Sequence, residues 1–229
     1  MTPSNHSHLE NPEHVQILGN PILSRLPQDR NAWLDEILRC GKRHLLVTAN
    51  PEILVQTTQD ERYKSIIENA DAVVADGFGI VLAGLLRGNR IQRLTGVDLT
   101  TELLKIATDR DLPVHFALYG SGLTTLDDLR LRFHGLRMAD SHEATIVIAN
   151  FGAPKQEYWL DEHRKEFPNA RILIGVGGAL DYLCGKVRRA PRLVQSIGLE
   201  WLWRLVRQPK RWKRIWNAVV VFPWKVLTQ

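Results

Sequence analysis

The sequence predicts an α/β fold: a mostly parallel sheet flanked by helices, followed by a basic amphipathic helical appendage. Three observations predict it. Short apolar runs alternate with stretches of helical periodicity along most of the 229 residues, the order that builds parallel sheets from crossover units. The apolar runs end in Gly, Asn, Asp or Pro, which turn the chain. The end of the chain then changes character. From Lys186 onward eleven Lys or Arg face one carboxylate, Glu200, a net +10 against +5 for the whole chain, so residues 1–185 carry −5. Five of the seven tryptophans (Trp201, Trp203, Trp212, Trp216 and Trp224) lie in that basic end.

Residues 1–16 are polar, with neither the basic start nor the apolar stretch of a secretory signal, and are expected to form a disordered lead-in. Asn31 to Cys40 reads as a helix, with Trp33, Leu34, Ile37 and Leu38 on one face. A strand from Lys42 to Ala49 closes on Asn50-Pro51, a cap followed by a first-turn proline. A helical stretch from Asp60 to Asn69 leads to the strand Ala72–Ala75. The string ADGFG then turns the chain into an apolar helical run that starts at Ile80. Thr95-Gly96 opens the helix Val97–Asp109. Val114–Leu118 is a strand, followed by Tyr119-Gly120-Ser121-Gly122 and a helix to Phe133. The strand Ala144–Ala149 runs into Asn150, and Arg171–Val176 into the glycine turn Gly175–Gly178.

No apolar run reaches the ~18 residues that cross a bilayer. Cys40 and Cys184 show no metal-ligand spacing. Asp109-Arg110-Asp111 has the outline of a metal-binding DxD, yet it ends a helix before Pro113, where a solvated turn is expected.

The polar residues of interest fall where strands end: Thr48 and Asn50, Asp76, Asn150 with Lys155, Gln156 and Glu157, and Asp181 with Tyr182. Convergence at one edge of a parallel sheet makes a ligand cleft. Gly77 lets a substrate approach the backbone, and Gly177 and Gly178 suit a phosphate at a helix start. Asp76 in this place serves either as a general base or as a helix cap.

The strings TANPEI, ADGFGIV, RLTGVDL, FGAPKQEYWL, GVGGALDYLCGKVRRAP and GLEWLWRL, in this order from Ile17 to Arg214, resemble the WecG/TagA/CpsF family of bacterial glycosyltransferases. That is glycosyltransferase family 26. The resemblance implies a Rossmann-like domain over residues 17–197 and an appendage over 198–229. It also implies inverting transfer of a sugar from a UDP-sugar to a polyprenyl-diphosphate-linked saccharide of a cell-surface polysaccharide, with no metal or cofactor. By the same resemblance Asp76 is the base, and Thr48 and Asn50 line the cleft. Arg93, just before Thr95-Gly96, lies near the diphosphate, and Gln156 near the donor. Arg189 is among the arginines expected at the acceptor diphosphate. One base suffices for a single displacement, and arginines with helix N-termini stabilise a leaving diphosphate.

The tail has its own pattern. Leu199, Leu202, Trp203 and Val206 share one helical face, and beyond Pro209 so do Trp212, Ile215, Trp216, Val219 and Val220. Lys210, Arg211, Lys213 and Arg214 take the opposite face. With Trp201, Arg204 and Arg207 this makes an amphipathic surface for an anionic membrane, on the inner face of a bacterial plasma membrane. The opposing reading packs the apolar face on the body or on a second copy of the chain. A nucleic-acid-binding tail is a further alternative, against which stands an acidic body with no nucleic-acid module.

The chain departs from the family between Tyr119-Gly120 and FGAPKQE, where it is shorter than its relatives. Leu136–Ala139 is expected as the remnant of a strand. It lies too close to the next strand to pair with it in parallel, so a loop or an antiparallel edge is expected there.

Overall fold

The computed structural model describes residues 13–120, 122–191, 193–194, 198–209 and 212–228. Its centre is a parallel sheet of order β4-β3-β7-β6-β5. The strands are β3 (His44–Ala49), β4 (Ala72–Ala75), β5 (Val114–Ala117), β6 (Ile146–Ala149) and β7 (Ile172–Gly175). Their side chains alternate between two cores, as the pleat dictates. Leu45, Val47, Val73, Val147 and Leu173 point to one face, and Leu46, Val74, Ile146, Ile148, Ile172 and Ile174 to the other. Covering both faces makes β3, β4, β6 and β7 buried throughout.

The second face carries α1 (Arg30–Arg39), α5 (Gly96–Asp109), α6 (Leu126–Arg132) and α8 (Ala179–Leu183). The first carries α2 (Pro51–Thr57), α3 (Glu61–Glu68), α4 (Phe78–Leu86) and α7 (Lys155–His163). Side-chain caps set five helix starts: Asp29 for α1, Asn50 for α2, Asp60 for α3, Thr95 for α5 and Thr125 for α6.

Residues 1–12 lie outside the described part, but the expected lead-in ends earlier than residue 16. His14–Ile17 (β1) and Asn20–Leu23 (β2) form an antiparallel hairpin whose turn places Leu18 and Gly19 at positive φ. Asn20, fully buried, locks it by donating to Ile17 O, Leu18 O and Thr57 Oγ1. Ile17 and Ile22 belong to the first core.

The shortened segment resolves in a third way, neither loop alone nor antiparallel edge. Met138 forms one parallel bridge with Val114, on the side of β5 away from β6. Because the bridge lies at the first residue of β5, the chain has almost no distance to return before β6. Thr145 and Ile146 donate to Pro113 O as it passes beneath. The remnant avoids β6, as the crossover rule requires.

The tail continues as α9 (Glu200–Arg207), α10 (Trp212–Trp216), a π-helical turn (Asn217–Val221) and α11 (Phe222–Leu227). The wider turn comes just before Pro223, whose ring and missing N–H disfavour a regular helix there. Phe222 and Val226 are buried in the first core. The apolar side of the tail is thus divided between the body and solvent.

Candidate active site

The ends of β3, β4, β6 and β7 open into a cavity of about 440 Å³, roofed by the tail. Thr48, Asn50, Asp76, Gly77, Arg93, Thr95, Gly96, Asn150, Gln156, Gly177, Gly178, Asp181 and Arg189 all line it. Lys155 does not. It borders an adjoining recess with Tyr119, Phe151, Tyr158 and Trp159.

Asp76 follows β4 directly. Its N–H donates to Ala49 O at 2.8 Å, and its carbonyl accepts from Arg93 Nε at 2.7 Å. The backbone is therefore pinned from two sides, and the residue stands half-buried on the cavity wall. It does not cap the next helix: α4 is capped by Gly77 with no side-chain hydrogen bond. A Cβ on Gly77 would lie 2.4 Å from Pro51 Cδ, so glycine is what lets the starts of α2 and α4 close together around Asp76.

Arg93 forms a parallel bridge with Ala75 and an ion pair with Glu200 of α9 at 3.2 Å. It ties the Asp76 loop to the tail. Arg189 reaches Asp98 Oδ1 at 3.2 Å and the Thr95 hydroxyl at 3.1 Å, while its Nε is buried without a hydrogen-bond partner. An arginine on a cavity wall with an unsatisfied donor is a place for an anion.

The remaining polar residues brace one another. Gln156 is 2% exposed. Its Oε1 accepts from Gly152 N and Gly177 N, each at 3.0 Å, and its Nε2 donates to Glu157 at 2.7 Å. It joins the turn after β6 to the turn after β7. Asp181 Oδ1 accepts from Leu123 N, Thr124 N, Thr124 Oγ1 and Asn150 Nδ2. Asn150 Oδ1 in turn accepts from Leu180 N. Thr48 donates to Gly175 O beneath Gly96. These four residues hold the shape of the cavity, with Gln156 a clamp between two turns.

Beside the clamp, burial pushes the Glu157 carboxyl above its usual range against hydrogen bonds from Gln156 and Tyr63. The same burial, with Glu157 beside it, pushes the Tyr63 hydroxyl up.

Two residues expected to face a membrane turn inward instead. Trp201 lines the cavity, and Arg214 pairs with Glu52 at 2.6 Å between the cavity and the recess. Arg207 stacks over Trp203 at 4.9 Å. Trp212 and Trp216 are exposed, with Lys213 Nζ 5.7 Å from the Trp212 ring centre. Lys210, Arg211 and the Arg204 side chain lie outside the described residues.

Sequence reasoning missed Glu52, Phe78, Leu82 and the aromatic group of Tyr119, Phe151 and Trp159, whose rings pack at 5.6–6.1 Å. One signal was available: Glu200 is the single carboxylate of the tail, and Arg93 is its partner. At the end of α5, Arg110 pairs with Asp35, and no cluster of three metal-ligating side chains occurs among the described residues.

The cavity sets Asp76 at a strand end beside an arginine with an unsatisfied donor and glycine turns on a parallel sheet edge. The sequence matches the glycosyl transferase WecG/TagA/CpsF family over residues 15–143 and 134–229. The chain belongs to that family. The two matched segments overlap at 134–143. A Bacillus spizizenii protein is 33% identical over 223 residues, covering 88% of this chain and 84% of its own length. It is named N-acetylglucosaminyldiphosphoundecaprenol N-acetyl-beta-D-mannosaminyltransferase. Proteins of the same name from Bacillus subtilis (28% over 193 residues, 75% and 74% covered) and Staphylococcus aureus MRSA252 (30% over 201 residues, 79% and 78% covered) are also similar. As a member of the WecG/TagA/CpsF family the protein is a glycosyltransferase, on a Rossmann-like α/β sheet. No described helix is long and apolar enough to cross a membrane.

Proposed function

We propose that the protein transfers a hexose or N-acetylhexosamine-type sugar, with inversion, from a UDP-sugar to a polyprenyl-diphosphate-linked saccharide. The relatives' names point to N-acetylmannosamine as the sugar and to an N-acetylglucosaminyl-diphosphate lipid as the acceptor. The observation that carries the reading is Asp76, held by its backbone at the end of β4 on the wall of the cavity.

In this reading the acceptor hydroxyl attacks the anomeric carbon from the face opposite the diphosphate. A carbon–oxygen bond forms to the acceptor, and the bond to UDP breaks. The hydroxyl proton goes to the Asp76 carboxylate. The negative charge that develops on the departing phosphate is met by Arg189 and Arg93, without a metal. The aromatic recess around Tyr119, Phe151 and Trp159 opens into the cavity past Gly152 and Ala153 and suits the uracil ring. The alternative is a catalytically impaired family member that acts as a non-enzymatic partner, against which stand Asp76, Arg93 and Gln156 on one cavity.

The protein is proposed to work as a peripheral protein on the inner face of the plasma membrane. Trp212, Trp216 and Trp224 are exposed on a tail that also carries Lys213 and Lys225. Removing 198–229 would also remove Phe222 and Val226 from the core, so substitution of those three tryptophans by Ser is the cleaner test of vesicle binding.

The deciding assay is acceptor-dependent release of UDP from a panel of UDP-sugars. Asp76→Asn is expected to lower kcat by about 10²- to 10⁴-fold with the fold intact. Wild-type activity retained in that variant rejects Asp76 as the base, and no acceptor-dependent release from any donor by the wild type rejects the transferase reading.

A further inference from the structure

The cavity has an apolar end that the sugar and diphosphate chemistry does not use. Phe78 and Leu82 of α4 face Trp201, Ile215, Val219 and Pro223 of the tail across it. The α4 surface then continues outward through Leu85 and Leu86, which are 61% and 63% exposed. The helix buries Ile80, Ala83 and Gly84 and packs on β1 and β4. It also meets α11 of the tail, and Phe78 lies against Gly198, while Leu82, Leu85 and Leu86 stay exposed. Phe78, Leu82, Leu85 and Leu86 on one nine-residue helix make a contiguous exposed patch, the kind that marks a ligand groove or a membrane contact.

Three observations say what covers it. The patch begins two residues after Asp76 and runs along a helix about 13 Å long, so one end lies at the reacting groups and the other in solvent. No carboxylate occurs from Gly77 to Val97, while Arg87 and Arg90 stand exposed at the outer end of α4. The facing tail from 212 to 228 likewise carries Lys213, Arg214 and Lys225 with no carboxylate. An apolar strip with basic residues at its outer end matches a hydrocarbon chain emerging from an anionic lipid surface.

Resting on the transferase reading above, we propose that the exposed face of α4 is the seat of the acceptor's polyprenyl chain. The chain lies along Phe78, Leu82, Leu85 and Leu86, opposite Trp201 and Val219, on its way from the diphosphate to the bilayer. α4 is then a second membrane-facing element beside the tail.

The test uses the full chain and a polyprenyl-diphosphate N-acetylglucosamine with a diazirine in its hydrocarbon near the diphosphate, presented in anionic vesicles. Photolabelling is expected between Phe78 and Leu86, and labelling confined to other segments overturns the proposal. A Leu85→Gln/Leu86→Gln double variant alters only exposed side chains outside the catalytic groups. It is expected to raise KM for a long-chain acceptor about tenfold, or ~1.4 kcal/mol, and to change KM for a short-chain acceptor less than about twofold. Equal changes for both acceptors, or none, overturn it. So does sedimentation that shows a wild-type dimer made monomeric by the variant with the ratio of the two KM values unchanged, which assigns the face to a second copy. Labelling of α4 without sugar transfer by the wild type would support the lipid seat while rejecting the transferase reading.

Discussion

At the floor of the cavity Asn150, Gln156 and Asp181 direct their hydrogen bonds to the protein itself, whereas at its rim Phe78 and Leu82 stay open to solvent. The floor is polar and satisfied; the rim is apolar and uncovered. Each inverts the usual rule that apolar groups are inside and polar ones outside. The floor keeps polar side chains because three strand-end turns need acceptors and donors that their own backbones lack. The rim keeps apolar ones because its partner is not part of the chain. A polar residue in the motif-bearing floor is thus more often a brace than a contact, and the groups left for chemistry are few.

The comparison breaks most visibly at Gln156. Replacing it by Ala leaves the Gly152 and Gly177 N–H groups without their acceptor, at roughly 1–3 kcal/mol each. Urea unfolding should show a loss of about 2–5 kcal/mol, with activity falling alongside. If stability is unchanged and only activity falls, the floor residue touches substrate and the distinction fails.

Arg189→Ala sharpens the other side. Its ion pair with Asp98 is partly exposed and adds little to stability. The expected result is a kcat/KM lower by about 10- to 100-fold and a thermal midpoint almost unmoved. A large drop in the midpoint would make Arg189 a brace as well.

The smallest effect is expected at Glu157→Gln. Burial raises this carboxyl, so the folded protein holds its proton more tightly than the unfolded chain does. Stability then falls as pH rises from the ordinary carboxylate range towards the raised value, and stays lower above it. The amide can still accept from Gln156 and can donate to the Tyr63 hydroxyl. Thermal melts should show the variant gaining on the wild type as pH rises above the ordinary carboxylate range, and a pH-independent difference would place the proton elsewhere.

The strand ends were readable because a buried strand is a short apolar run and the residue that follows it must turn. That placed Asn50, Asp76 and Asn150 within a residue of where they stand. The β1–β2 hairpin was not readable, because His14 to Leu23 turns through Leu18 and Gly19 rather than a strong turn pair. α4 was legible only as an apolar helical run, and the packed structure is what shows that Phe78, Leu82, Leu85 and Leu86 stay exposed. The Gln156 clamp depends on Gly177, 21 positions away, and local pattern has no access to such a distance. Arg214 and Trp201 follow the amphipathic rule of the tail but meet Glu52 and the cavity first.

The single bridge between Met138 and Val114 has a practical consequence. A parallel sheet can be trimmed at its outermost strand without altering any register further in, and here the ladders joining β3, β4, β6 and β7 do not touch the trimmed margin. Length at that margin is thus a free variable. The turn at His134 and Gly135, both exposed and the latter at positive φ, is a natural place to graft a peptide tag or a fluorophore. The proposed arrival at a bilayer could then be followed without a label on α4 or on the tail.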